Sequence, residues 1–277
     1  METLTKENYK NYISNESNIR KIPTGITKLN NIYGGGLPKG LTIIGANTGL
    51  GKTTLALQLA DNMAKEENTK ILFISLELTK YELVSKSLSR ISYLDNDLTS
   101  HTPNDFMSNE VENIDPYFDL YEPMGNNIYI VDNMPHIKDI SKTINDFSRM
   151  FNNSNVIVII DYLQFISCDS SNDKQNIDMI TRELKAIANK YNISIMAISS
   201  LSREGAKRND ISSFKESGSI EYTADYLIIM YQKENTNRLA FTDNTDTITI
   251  EFLKNRFGVK GQFDLKYLGN YATFKEL

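Results

Sequence analysis

Cysteine is nearly absent from this chain: Cys168 is the only one in 277 residues. No intramolecular disulfide can form, which fits a reducing, cytoplasmic setting. His101 and His136 stand alone, so no zinc-ligand spacing exists, and neither they nor Cys168 sit in the setting of a nucleophile. Long apolar runs are missing too. The run "VIVII" at 156–160 is far too short to cross a bilayer. The first twenty residues, "METLTKENYKNYISNESNIR", lack the apolar stretch of a signal peptide, so no membrane association is expected. There is no internal repeat and no low-complexity tract. A surplus of positive charge is also lacking: 30 Lys and Arg stand against 35 Asp and Glu, for a net charge of −5. Proteins that clamp nucleic acid by bulk charge are usually basic, so any such contact must be confined to a few loops.

What is present is an ordinary globular composition, 40% hydrophobic and 23% charged, in a chain long enough to bury a core without staples. Apolar strands alternate with amphipathic helices from residue 41 onward. "LTIIGA", "KILFISLE", "NIYIVD", "NVIVIIDYLQFI" and "ISIMAISS" read as buried strands. "KTTLALQLADNMAKE", "YELVSKSLSRISYL", "IKDISKTINDFSRMF" and "IDMITRELKAIANKY" read as the helices between them. That order predicts an α/β fold, a mainly parallel twisted sheet with helices on both faces. "DYLIIMYQ", "TITIEFLKN", "GQFDLKY" and "YATFK" follow with no helix between them and predict antiparallel hairpins at the end. Residues 93–126 show no clear period, and Gly34 to Gly40 punctuate a loop before the first strand. Residues 1–21 are a polar leader or linker arm, and 22–277 form the domain.

"GANTGLGKTT" lies between a strand and a helix. It matches the phosphate-binding pattern G-x-x-x-x-G-K-[ST], except that Ala46 replaces the first glycine. In this reading Ala46, Asn47, Thr48, Gly49, Leu50, Gly51, Lys52, Thr53 and Thr54 form the nucleotide cradle. Glycines let backbone N–H groups turn onto phosphates, and the helix start adds its positive dipole end. Lys52 is a point charge for the β and γ phosphates, and Thr53 offers a hydroxyl to Mg²⁺. Asp161 ends a buried strand and supplies the metal's carboxylate. Glu77, at the end of the strand after the cradle helix, positions or activates the attacking water. The bland alternatives are a glycine turn, a strand-ending Asp and a helix-starting surface Glu. ATP and Mg²⁺ are the expected cofactors.

Five further stretches occur in a telling order: "SLE" at 75–77, "DYLQ" at 161–164, "SSLSR" at 199–203, "ESGSIEYTAD" at 216–225 and "KNRFG" at 254–258. Together they resemble the C-terminal motor domain of DnaB-family replicative helicases, over about residues 22–277, and Ala46 also matches that family. The resemblance implies a RecA-like fold and a homo-oligomeric ring, expected to be a hexamer, that hydrolyses ATP between subunits. It implies translocation on single-stranded DNA and 5′-to-3′ unwinding during replication. It makes Lys254 and Arg256 a basic pair that reaches a neighbour's ATP site, a catalytic role alongside Lys52 and Glu77. It places DNA-backbone contacts at Lys215, Glu216 and Gly218, in a loop whose Arg203, Lys207, Arg208 and Lys215 form a local basic cluster. The stretch 167–176 is a second loop candidate. Two departures stand out. Ser200 occupies the sensor position where the family usually has Gln. The family's N-terminal helical domain has no counterpart in the leader, which bears on ring stability and on a helicase loader or primase as partners. "LTKENYKNYI" could instead be a short linker helix that docks on a neighbour. The competing readings are a DNA-stimulated ATPase that remodels or loads without unwinding, and an ATP switch indifferent to DNA.

Overall fold

The structure, a computed structural model, describes residues 5–7, 10, 21–169, 173–201, 214, 217–232 and 245–277. The strands are β1 Gly40–Ala46, β2 Thr69–Ser75, β3 Ile128–Asp132, β4 Asn155–Asp161, β5 Ser194–Ser200, β6 Tyr226–Gln232, β7 Thr245–Asn255, β8 Gln262–Leu268 and β9 Thr273–Glu276. From residue 21 onward the helices among the described residues are α1 Thr27–Tyr33, α2 Lys52–Met63, α3 Lys80–Asp95, α4 Pro103–Met107, α5 Asp115–Gly125, α6 Ile137–Met150, α7 Asp173–Tyr191 and α8 Ser217–Thr223.

The strands form one sheet in the order β3-β2-β4-β5-β1-β6-β7-β8-β9. β3 through β6 in that order pair parallel, and β6, β7, β8 and β9 pair antiparallel. This is the expected mixed architecture. Side chains alternate along each strand, so successive residues enter opposite cores. Ile44, Phe73 and Ile159 pack with Leu55 and Leu59 of α2, Leu83 and Leu88 of α3 and Met124 of α5. Ile43, Leu72 and Val158 pack with Ile140 and Ile144 of α6, Ile180 and Leu184 of α7 and Ile220 of α8. Continuous apolar strands are what a sheet covered on both faces requires.

β2 ends at Ser75, two residues before Glu77, and α7 begins at Asp173, inside the 167–176 loop candidate; the structure departs from the sequence reading in three larger places as well. Residues 93–126 contain two helices. α4 is only five residues long, started by a Thr102–Asp105 capping box. α5 has Pro116 in its first turn and Pro123 inside it, which break the apolar period. Edge-on rings of His101, Phe106 and Tyr117, 5.4–5.8 Å apart, hold this lobe together. Second, the strand through "DYLQ" ends at Asp161, and Leu163–Phe165 form a 3₁₀ turn. Third, α1 precedes the glycine loop and ends at Gly34, whose φ of 72° closes the helix in the left-handed region. Among the described residues, no helix is long and apolar enough to cross a membrane.

Candidate nucleotide site at the carboxyl edge of the sheet

Strand register gathers the candidate residues. β1 lies between β5 and β6, and Ala46 pairs with Ser200. On the neighbouring strands Ser75 pairs with Asp161, and the Leu76 N–H donates to the Asp161 carbonyl at 2.7 Å. The carboxyl ends of β1, β2, β4 and β5 therefore meet at one edge, beside the point where the chain order reverses. Ligands of open α/β sheets bind there.

The loop from β1 to α2 turns through Gly49 (φ 87°) and Gly51 (φ 79°), conformations that glycine adopts without strain. Gly51 is constrained twice, because a Cβ there would meet the Tyr267 ring at 2.9 Å. α2 begins at Lys52 with no side-chain cap and no acid in its first turn. Its leading N–H groups and dipole are left to face an anion. Lys52 Nζ donates to the carbonyls of Ala46 and Asn47, both at 2.9 Å, and so lies across the loop. Burial pushes the Lys52 pKa down, while the Asp161 and Glu77 carboxylates oppose the shift.

A cleft of about 230 Å³ brings together Thr48, Gly49, Gly51, Lys52, Thr53, Thr54, Glu77 and Ser200. Leu50 instead packs against the core. Asp161 does not line the cleft; it ends β4 just before Tyr162, which does, and is only 1% exposed. Neither carboxylate oxygen has a partner at hydrogen-bond geometry, and the Thr53 hydroxyl beside it draws its pKa down. Burial raises the Asp161 pKa to about 6. Glu77 adds to the rise, and Thr53, Lys52 and Lys86 oppose it. A buried, unpartnered carboxylate beside a hydroxyl is a hard oxygen donor set of the kind Mg²⁺ takes together with phosphates. No group of three or more metal-ligating side chains occurs among the described residues, so any ion here needs oxygens from elsewhere.

Lys86, Tyr162 and Tyr267 also line the cleft, and the sequence reading missed all three. Lys86 looked like one polar position on an amphipathic helix. Only the fold turns it toward Asp161, and burial lowers its pKa. Tyr267 stacks on Phe274 at 4.5 Å and arrives from a hairpin more than two hundred residues after the loop, too far for any local signal. Gln164 was legible only as part of "DYLQ". Its amide donates to Ser199 Oγ at 2.9 Å and accepts from the Ser200 N–H at 3.0 Å, which ties the ends of β4 and β5.

Lys254 and Arg256 are nowhere near this cleft. They close β7 at the opposite edge, where the Arg256 N–H donates to Asp225 O and the Asp225 N–H donates to Leu41 O. Lys254 Nζ is bonded to the Glu221 carbonyl at 2.6 Å. Gly218 lies in α8, close in sequence to that edge. Arg203, Lys207, Arg208, Lys215 and Glu216 lie outside the described residues.

A nucleotide cradle at the reversal point of a mainly parallel sheet, with antiparallel strands beyond it, defines the RecA-like class of P-loop ATPase domain. The profile of the DnaB-like helicase C terminal domain matches residues 21–276. The chain belongs to that family. It is 30% identical over 288 residues to the replicative DNA helicase DnaB of Geobacillus stearothermophilus, covering 99% of this chain and 60% of that protein. It is 30% identical over 284 residues to the replicative DNA helicase DnaC of Bacillus subtilis (strain 168), again covering 99% and 60%. The chain thus spans about 60% of the length of these curated relatives. In fold it is similar to the ATPase domain of G40P (TM-score 0.83, 24% identity, all of both chains). It is also similar to a DnaB-like replicative helicase described with its primase interactions (TM-score 0.81, 24% identity, all of this chain and 68% of that one).

Proposed function

We propose that this chain is the motor of a DNA helicase. It hydrolyses ATP between subunits of a ring, expected to be a hexamer, to move along single-stranded DNA and part the duplex during replication. The observation that carries the reading is the split between the two edges of the sheet. The cradle, Glu77 and Asp161 share one edge, while Arg256 stands at the other, away from the cradle of its own subunit. In this reading the uncapped N–H groups of α2 and the Lys52 ammonium bind the β and γ phosphates. Asp161 and Thr53 would hold Mg²⁺, which when bound neutralises charge on those phosphates. Glu77 orients the attacking water and takes its proton. Arg256 of a neighbour stabilises the charge of the transition state. Gln164, by fixing the end of β5, joins Ser200 to the two strands from which the candidate DNA loops depart.

The acidic net charge does not oppose DNA binding. Between Ile91 and Ile137 there are nine Asp or Glu and no Lys or Arg, so the rest of the chain carries +4. Six of those nine acids, Asp105 to Glu122, lie in and between α4 and α5. Backbone N–H contacts to phosphate ignore sequence, which suits a motor. The solved relative described with primase makes primase the first protein partner to test, and a loader the second.

The test is ATP hydrolysis with and without single-stranded DNA at two salt concentrations, with Glu77→Gln as background. Stimulation of several-fold or more that fades with salt is expected, followed by strand separation in an unwinding assay. Stimulation without unwinding would assign a remodelling or loading ATPase, and hydrolysis indifferent to DNA at both salts would assign a switch.

A further inference from the structure

At the edge of the sheet away from the cradle, Asp225 is a fully buried carboxylate between α8 and β6. Its backbone N–H donates to Leu41 O, and its Oδ2 accepts the Leu41 N–H, both at 2.9 Å. These two bonds pin it to the base of β1, the strand that carries the cradle. Oδ2 also accepts from Lys185 of α7 at 2.5 Å, and Oδ1 accepts from Arg256 Nη1 at 2.9 Å. The Arg256 backbone N–H donates to Asp225 O at 3.0 Å. Gly40 makes the room, since a Cβ there would meet Asp225 Oδ2 at 2.4 Å. The Arg256 side chain is nevertheless 42% exposed. Nη1 is held, and the remaining N–H groups of the guanidinium fork have no other partner among the described residues.

We propose that Asp225 is a positioning residue for Arg256. It sets the direction in which the guanidinium leaves the sheet edge, and through it the turnover of the site on a neighbouring copy. The inference rests on the reading of Arg256 as a residue that completes another copy's site. An arginine free to sample its rotamers must give up that freedom in the transition state, and one already held by a rigid partner gives up less. The partner here is as rigid as the fold permits, being bonded to β1 and clamped by α7. Lys185 has its own part. Lys185, at 2.5 Å on Oδ2, gives the buried carboxylate a second cation and fixes its orientation, so Oδ1 keeps Arg256 Nη1 while the other N–H groups of the fork engage a neighbour's phosphate.

Asp225→Asn keeps the shape and removes the charge. Hydrolysis at saturating ATP should fall roughly ten- to a hundredfold, with KM hardly moved. On an Arg256→Ala background the same substitution should cost nothing more. Mixing Asp225→Asn subunits with Glu77→Gln subunits should regain hydrolysis, because copies with an intact Asp225 then serve copies with an intact Glu77. A mixture of Arg256→Ala with Glu77→Gln is the reference. If the reference regains nothing, the trans reading of Arg256 falls and takes the proposal with it. If the reference regains activity and the Asp225→Asn mixture does not, Asp225 acts within its own subunit and the proposal alone is overturned. An added loss in the double variant has the same meaning.

Discussion

With alanine at position 256, ATP hydrolysis should fall by on the order of 10³-fold or more, the scale on which a trans arginine contributes, while nucleotide affinity stays near wild type. The expectation follows from distance. Asp225, which holds Arg256, is bonded to Leu41 near the start of β1, and the cradle begins at Ala46 at its end. Five residues of strand separate the two edges by roughly 17 Å, so Arg256 has no path to the phosphates of its own subunit. Its flanks suit contact with another copy: Phe257 is 75% exposed and Val259 77%. Arg256→Lys should recover little, because an ammonium keeps the charge and loses the planar fork. Dilution gives the independent check. Specific activity of the wild type should fall as oligomers dissociate, and monomers that hydrolyse as fast as oligomers would refute a role in trans. Melting curves accompany both variants, since each alters a partly buried ion pair.

The parts of this molecule that were legible in the sequence are those whose signal is local. The cradle shows because strand, glycines, lysine and helix are contiguous, and conformation demands the glycines at 49 and 51 whatever lies around them. Asp161 shows because it ends an apolar run that only a buried strand explains, and Glu77 because it stands two residues past the end of another. The two-faced core shows in the uninterrupted apolar strands. What stayed hidden depends on distant segments. Tyr267 reaches the cradle from a late hairpin, and Lys86 faces Asp161 only because α3 packs on α2. The five-residue length of α4 and the prolines of α5 concealed helices that owe their stability to packing on α3 rather than to period. Asp225 was readable as a letter of "ESGSIEYTAD", but its grip on Arg256 exists only after β6 and β7 pair. Sequence periodicity reports which face of an element is buried; it carries no record of which polar groups meet across elements.

Asp161→Asn should push stability and activity in opposite directions. The carboxylate is buried without a partner at hydrogen-bond geometry, and burial lifts its pKa from 3.8 to about 6. For an acid, a folded pKa above the unfolded one means that the folded state binds more protons between those values. Stability is therefore lost as pH rises from about 4 to 6, and the loss is fully present above 6. A shift of about two units corresponds to on the order of 3 kcal/mol. Asparagine removes the charge, so at pH 7 the variant should melt on the order of 5–10 °C higher. The difference should shrink as pH falls toward 4. The same carboxylate is what Mg²⁺ would engage, so the variant should lose Mg²⁺-dependent nucleotide binding and hydrolysis, and in the wild type Mg²⁺ affinity should weaken below pH 6 as protons compete for Asp161. Calorimetry across pH, with and without Mg²⁺ and a non-hydrolysable nucleotide, reads both effects. A melting difference that ignores pH, or an asparagine variant less stable than wild type at pH 7, would show that Asp161 is already satisfied within the fold and is not held in reserve for a cation.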